Sequence, residues 1–360
     1  IDWGLRQIKM CELEVIKTKM IQSMITSKRI ATAHGYYLVA FDATGVTSYD
    51  EDPQGVLLTR KSSSGKTAYL NYILEAKIVT PDGLALSIGS EPLSNAEYSQ
   101  YRKQDCELSA FKRLAAKVKR NFPRLPICVL ADGLYANKPV FNICETNGWK
   151  YIVTLKDGCL SLLQEAIKDT EETKRHRFDK RVLLNQGQKN KQYGSAHYQW
   201  IPSLSYKGLE LNWLECLWPQ PAKDLPERSP LRFTYLTNLA PDHSHPLLNS
   251  TLAKVAEYGR MRWKIENEGF NTQKNQGFHL HHKFSRRSVS TLHVYYMLLQ
   301  MAHIITQIAV HSREIILLMN KYPKLTLKYL WERLRAILEM RLLSLERLEE
   351  NKRRCQIRLE

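Results

Sequence analysis

An α/β fold is what this chain predicts: a mixed sheet carrying a β-rich insertion, followed by a helical C-terminal region. Three observations lead there. Short apolar runs closed by Asp and Gly, such as YYLVAFDATG and PICVLADG, read as buried strands. The first strands follow one another directly and later ones alternate with helical segments, which is the order of a mixed sheet. From Leu247 onward the pattern is helical.

The elements follow in order. Residues 5–28 have helical composition. YYLVAF is a strand, and AYLNYILEAKIVT and LALSIGSEPL form a hairpin across the turn Pro81-Asp82-Gly83. Residues 104–120 place Leu108, Phe111, Leu114, Ala115 and Val118 at helical spacing. PICVLA is a strand, residues 137–148 are a short helix closed by Gly148, and YIVTLK is the next strand. LSLLQEAIKD is helical, and the polar, basic KRHRFDKR follows it. HYQWIPSLSYKG, LELNWLECLW and LRFTYLTNL then read as a small antiparallel β insertion over about 190–240. TLHVYYMLLQMAHIITQIAVH is apolar enough for a core helix, and LKYLWERLRAILEMRLLSLERLEENKRR is a long basic amphipathic one. The expected division is an N-terminal helical segment (1–30), a first core part (31–156), a largely β insertion (157–246), a second core part (247–300) and a C-terminal helical region (301–360).

Lys and Arg total 53 against 36 Asp and Glu, a formal net charge of +17. Such a balance points to a polyanionic partner, nucleic acid first. The seven cysteines are scattered without C-x-x-C spacing, which argues against a disulfide framework or a zinc-thiolate site and suits a reducing cytosol. No apolar run is long enough to span a bilayer, and no signal-peptide pattern opens the chain. The start at Ile1 rather than Met is consistent with a missing N-terminal piece. No Walker-type phosphate loop is present, so ATP is not implied.

Three acids carry the chemistry. Asp42 and Asp132 each close an apolar run and are expected at strand ends; Glu266 lies in YGRMRWKIENEGFNTQKNQG, expected to be one amphipathic helix. Two strand-end carboxylates and one from a packed helix can hold two divalent cations about 3.5–4 Å apart, flanking a phosphate. At about 100° per residue, Arg262 and Gln273 share the Glu266 face, and Lys274 lies about 80° away. A guanidinium beside a carboxylate on that face suits a phosphate fork. For each aspartate alone the alternative is a turn residue bonded to nearby backbone. For the helix it is an i,i+4 ion pair. Asp157, in LKDG, reads as a turn.

At this helix the sequence resembles the YREK signature of bacterial insertion-sequence DDE transposases: Tyr258, Arg262, Glu266 and Gln273/Lys274, with R-W-K-I-E and F-N-T-Q-K the most similar parts. D-A-T-G at 42 and A-D-G at 132 resemble the contexts of the family's two aspartates. Gly259, Arg260 and Met261 intervene between Tyr and Arg where the family spaces its Tyr two before the Arg, and Gln273 stands at the family's Lys position, with Lys274 one further. The resemblance covers about Tyr36 to Ala309. It implies an RNase H-like core interrupted by the β insertion, with Asp42, Asp132 and Glu266 as catalytic metal ligands for Mg²⁺, with Mn²⁺ able to substitute. It implies DNA contacts by Tyr258, Arg262 and Lys274. The implied activity is cleavage of transposon ends and strand transfer into target DNA, by a homodimer on paired double-stranded ends, in the bacterial cytoplasm and at the nucleoid when DNA-bound. Two rival readings are a catalytically inactive DNA-binding descendant and a general RNase H-like nuclease.

Other candidates point elsewhere. His279, His281 and His282 lack the i,i+4 spacing of a helical metal site and suit solvent or DNA-backbone contact. Trp200, Trp213 and Trp218 could stack on unpaired bases, but a small β module needs aromatics for its own core. KRHRFDKR and ENKRRCQIR could bind phosphate or be solvated charged faces.

Overall fold

A computed structural model describes residues 2–96, 104–184, 191–220, 229–241, 245–340 and 346. Contacts divide the chain into two compact units, residues 1–299 and 300–360.

The chain opens with helices α1 (Asp2–Leu5) and α2 (Met10–Thr26). Four strands follow: β1 (Tyr37–Tyr49), β2 (Leu58–Lys61), β3 (Thr67–Val79) and β4 (Ala85–Pro92). Then come α3 (Glu107–Asn121), β5 (Ile127–Ala131), α4 (Lys138–Asn147), β6 (Lys150–Thr154) and α5 (Ser161–Asp169). Strands β7 (His176–Leu183), β8 (Tyr193–Tyr206), β9 (Leu209–Trp218) and β10 (Leu231–Thr237) lead to α6 (Leu248–Arg260). After an irregular helical stretch come α7 (Thr272–Asn275), α8 (Val289–Val310), α9 (Arg313–Lys321) and α10 (Leu327–Met340).

The described strands make one ten-stranded sheet in the order β2-β3-β1-β5-β6-β10-β9-β8-β7, with β4 also on β3. β1, β5 and β6 are parallel and the other pairs antiparallel. A mixed sheet with interleaved helices is consistent with an RNase H-like fold. The insertion is therefore continuous with the core sheet, because β10 pairs with β6. It also holds one strand more than the sequence suggests. KRHRFDKR contributes most of β7, an edge strand whose side chains alternate between solvent and partial cover. Its charges hide the alternation in the sequence and protect the open edge.

Both faces of the sheet are covered near β1. On one, Phe41 meets Phe111 of α3 at 4.9 Å between ring centroids, and Phe111 meets Tyr135 at 5.4 Å. Here α3 lies so close that a Cβ on Gly89 would stand 2.8 Å from Leu114. On the other, Leu38, Ala40, Cys128 and Leu130 pack with α6 residues Leu252 and Val255 and with Ile265 and Phe270. The fully buried Trp200 and the nearly buried Trp213 are core residues of the insertion. The distal part of the expected last helix and the ENKRRCQIR run lie outside the described residues.

Two expectations about the acids' setting are corrected. Asp42 is not at a strand end: β1 continues seven residues past it to Tyr49, with a bulge between Gly45 and Thr47. D-A-T-G reads as a turn, but β3 pairs alongside and keeps the backbone extended. The Glu266 segment is not one regular helix: after α6 come a 3₁₀ turn (Met261–Trp263) and a π-helical stretch (Ile265–Asn271). Arg262 and Glu266 still share a face, paired as i,i+4 at 3.1 Å, but Gln273, beyond the π-helical stretch, is fully buried where Glu266 is half exposed.

Candidate active site

β1 and β5 run parallel with Tyr37 opposite Ile127 and Ala40 opposite Leu130, an offset of ninety residues. Asp132 lies ninety residues after Asp42. Continuing the register therefore sets the two aspartates side by side on neighbouring strands, which lie about 4.8 Å apart. Alternate strand residues share a face, so Asp42 follows Ala40, and Asp132 follows Leu130, onto the side covered by α6 and the π-helical stretch.

Glu266 reaches Asp42 from above. Arg262 Nη1 lies 3.1 Å from Glu266 Oε1 and 3.6 Å from Asp42 Oδ2. The guanidinium is mostly covered and Glu266 half exposed. Burial raises the Asp42 carboxyl to about 7; Arg262 opposes this, and the Glu266 carboxyl within hydrogen-bonding reach adds to it. Two carboxylates and one guanidinium thus leave a site short of positive charge.

Asp132 is held differently. Its Oδ1 accepts from the Leu134 amide at 2.8 Å, capping the short 3₁₀ helix Gly133–Tyr135. Its Oδ2 pairs with Lys156 Nζ at 2.8 Å. Gly133 makes room for that lysine: a Cβ there would stand 2.6 Å from Lys156 Cγ. Among the described residues, no three His, Cys, Asp or Glu side chains form a ready-made metal cluster. The donor chemistry nevertheless fits a hard divalent cation, which takes carboxylate oxygen. Asp42 and Glu266 already crowd together around one guanidinium, and Asp132 is paired with the Lys156 ammonium.

A cavity of about 400 Å³ opens at this place, lined among others by Asp132, Lys156, Arg232, Gly259, Arg262 and Trp263. Trp263 is more than half exposed. The cavity holds the cationic side chains of Lys156, Arg232 and Arg262 beside Asp132 and Asp157, a setting suited to phosphate.

Most of the chain matches a known family. The sequence profile of the transposase DDE domain matches residues 89–305, more than half of the chain. The chain belongs to this family. The matched span of the transposase DDE domain contains Asp132, Arg262 and Glu266, while Asp42 precedes it. No curated protein matches the sequence.

The other candidates separate. Tyr258 packs its ring edge on His34 at 5.8 Å and against the core beneath α6. Lys274 is half-buried, with Nζ 6.0 Å from the Phe270 ring centroid. His281 Nδ1 is bonded to the Val46 carbonyl and His282 packs on Phe284. Asp157 sits in its turn and accepts from Arg232 at 3.0 Å. Sequence reasoning missed Lys156 and Arg232, and also the pair Glu107–Tyr135. The Tyr135 hydroxyl, fully buried, donates to Glu107 Oε2 at 3.1 Å. Burial, and then neighbouring Asp132, push Glu107 up, against the pull of that hydrogen bond. No local motif marks these residues; only the sheet register brings them to the acids.

No helix among the described residues is long and apolar enough to cross a membrane.

Proposed function

We propose that this transposase-family protein cleaves transposon ends and transfers the strand into target DNA, with Asp42, Asp132 and Glu266 as its metal ligands. The carrying observation is the shared ninety-residue offset of the β1–β5 register and the two aspartates, with Glu266 and Arg262 closing on Asp42. When bound, Mg²⁺, or Mn²⁺ in its place, supplies activation of the attacking oxygen and stabilisation of the leaving one. Asp42 and Glu266, which already share the Arg262 guanidinium, would offer carboxylate oxygens to that cation. Asp132, paired with Lys156 in the free protein, would be the third carboxylate ligand. Arg262 would present its fork to a phosphate oxygen, and Lys156 its ammonium to a neighbouring phosphate. Lys274 and Tyr258 contact the DNA flanking the cleaved end. The partner is double-stranded DNA bound by a homodimer on paired ends, in the bacterial cytoplasm and at the nucleoid.

The test is a cleavage and strand-transfer assay on DNA carrying the element's own ends. Joined products in Mg²⁺ that vanish with Asp42→Asn or Asp132→Asn support the reading. Cut ends without any joined product would make the protein a plain nuclease, and specific end binding without cutting would make it a DNA-binding descendant.

A further inference from the structure

Three charged side chains are fully buried beside the Glu266 segment: Lys17 of α2 and Glu75 and Lys77 of β3. The activity proposed above uses none of them. Glu75 is the cross-strand partner of Asp42 and Lys77 of Ala40, so both lie on the Asp42 face of the sheet. Opposite them on β4 stand Ser90 and Ser87, to which Lys17 donates at 2.8 Å each. Lys77 meets the π-helical stretch. Its Nζ lies 5.4 Å from the Phe270 ring centroid. A Cβ on Gly269 would stand 3.4 Å from Lys77 Cδ and 3.6 Å from Cε. The bare glycine thus lets the backbone turn rest on the lysine stem.

Burial lowers the Lys77 pKa to about 8, and the Glu75 charge works against that shift. Burying an ammonium is costly even when paired, and an apolar residue of equal volume would avoid the cost. A π-helical stretch is also rare, and it tends to occur at functional sites. The two unusual features touch each other, three and four residues beyond Glu266.

We propose that Lys77 is the positioning residue of the Glu266 turn: its stem, wedged beneath Gly269 and Phe270, holds the π-helical register that aims Glu266 at Asp42. The link to metal binding rests on the reading of Glu266 as a ligand; the link to the turn does not.

The experiment uses the full chain without DNA and two measurements. One is hydrogen exchange resolved over peptides within 262–275. The other is a Mn²⁺ titration of the metal-free protein. Lys77→Val installs an apolar, strand-favouring residue and removes both charge and stem; Lys77→Met keeps the stem and removes only the charge. Lys77→Val should expose residues 265–271 to exchange at least about tenfold faster, with β5 and β6 unchanged. Its Mn²⁺ affinity should fall about tenfold, the scale seen when supports of metal ligands are removed. Lys77→Met should restore both to near wild type. Wild-type protection of 265–271 in Lys77→Val, or a loss spread evenly over the sheet, overturns the proposal. Wild-type Mn²⁺ affinity in Glu266→Gln overturns the ligand reading instead, and exchange still judges Lys77. Should Lys77→Val fail to fold, Gly269→Ala presses on the same contact from the other side. Local loss of protection there supports the wedge, and unchanged protection overturns it.

Discussion

Two regions of this sheet treat charge in opposite ways. Around β7 and β10 several described cations meet nearby partners. Arg177 pairs with Glu172, Lys174 lies 3.6 Å from Glu171, Lys180 lies 3.6 Å from Glu257, and Arg232 binds both Glu215 and Asp157. Arg175 spends its donors on the carbonyls of Ile167, Lys168 and Thr170, and Arg181 lies over the Tyr193 ring. Around β1 and β5 like charges are brought together: Asp42 and Glu266 share one guanidinium, and Asp132 stands next in register. Matched charges at a surface contribute about 0–1 kcal/mol each and ask for nothing further. Crowded carboxylates beneath a partial cover oppose folding unless a cation joins them, so the unbalanced region is the one built for a ligand.

The largest expected effect lies in that unbalanced region. Glu266→Gln keeps the shape of the side chain but removes its charge. Cleavage in Mg²⁺ should fall by about four orders of magnitude, the scale on which members of one catalytic unit fail. Folding, followed by circular dichroism, and DNA retention in a gel-shift assay should both persist. Cleavage at the wild-type rate would leave Glu266 as a surface ion-pair residue and place both regions of the sheet in the same class.

Arg262→Ala comes next. Its guanidinium neutralises two carboxylates in the free protein and is assigned a phosphate in the complex. A hydrogen bond to a charged group contributes about 1.5–3 kcal/mol, so affinity for the element's end should fall about 10- to 100-fold by fluorescence anisotropy. Affinity for unrelated DNA should change much less. Equal losses on both DNAs would reduce Arg262 to general attraction.

Much of the fold could be read from the chain, because apolar runs and turn signals are local. Gly148 closes α4 in the left-handed conformation expected of it, and the Pro81-Asp82-Gly83 turn joins β3 to β4. What stayed hidden depends on partners far along the sequence. Glu75 and Lys77 stand among apolar residues in YILEAKIV with nothing local to show their setting, yet both are fully buried. The π-helical stretch leaves no mark in R-W-K-I-E-N-E-G-F, since its support comes from a strand nearly two hundred residues earlier. Asp42, Asp132 and Glu266 could be named from their contexts, but not that Lys156 would hold Asp132 or that Asp42 would sit inside a long strand.

Gly259 lies where the two regions meet, with α6 crossing β10. A Cβ there would stand 2.5 Å from the Tyr235 ring, which is buried. A ring held in a core cannot swing aside as a lysine tip can, so Gly259→Ala should destabilise the fold by about 1–3 kcal/mol. Thermal denaturation would measure it. Because Gly259 also lines the cavity, the surviving folded protein should bind DNA ends less tightly. Unchanged stability would mean that α6 shifts freely over the sheet, and Arg262 would then not be rigidly aimed.

The smallest effect is expected where the sequence shows its most conspicuous positive run. Reversing Lys174, Arg177 and Arg181 together removes three cations from KRHRFDKR, two of them already matched by Glu171 and Glu172 and the third lying over Tyr193. Exposed pairs of this kind contribute little, so general DNA affinity should change less than about threefold. Lys156→Gln removes one cation, but one beside the acids and assigned to a phosphate. Each phosphate contact adds about one unit to the slope of log affinity against log salt. Titrations across salt should therefore show the slope shrinking by about one for Lys156→Gln and by less for the triple reversal. A larger loss from the triple reversal would show that matched cations on the insertion still face the duplex, and the contrast between the two regions of the sheet would not extend to DNA binding.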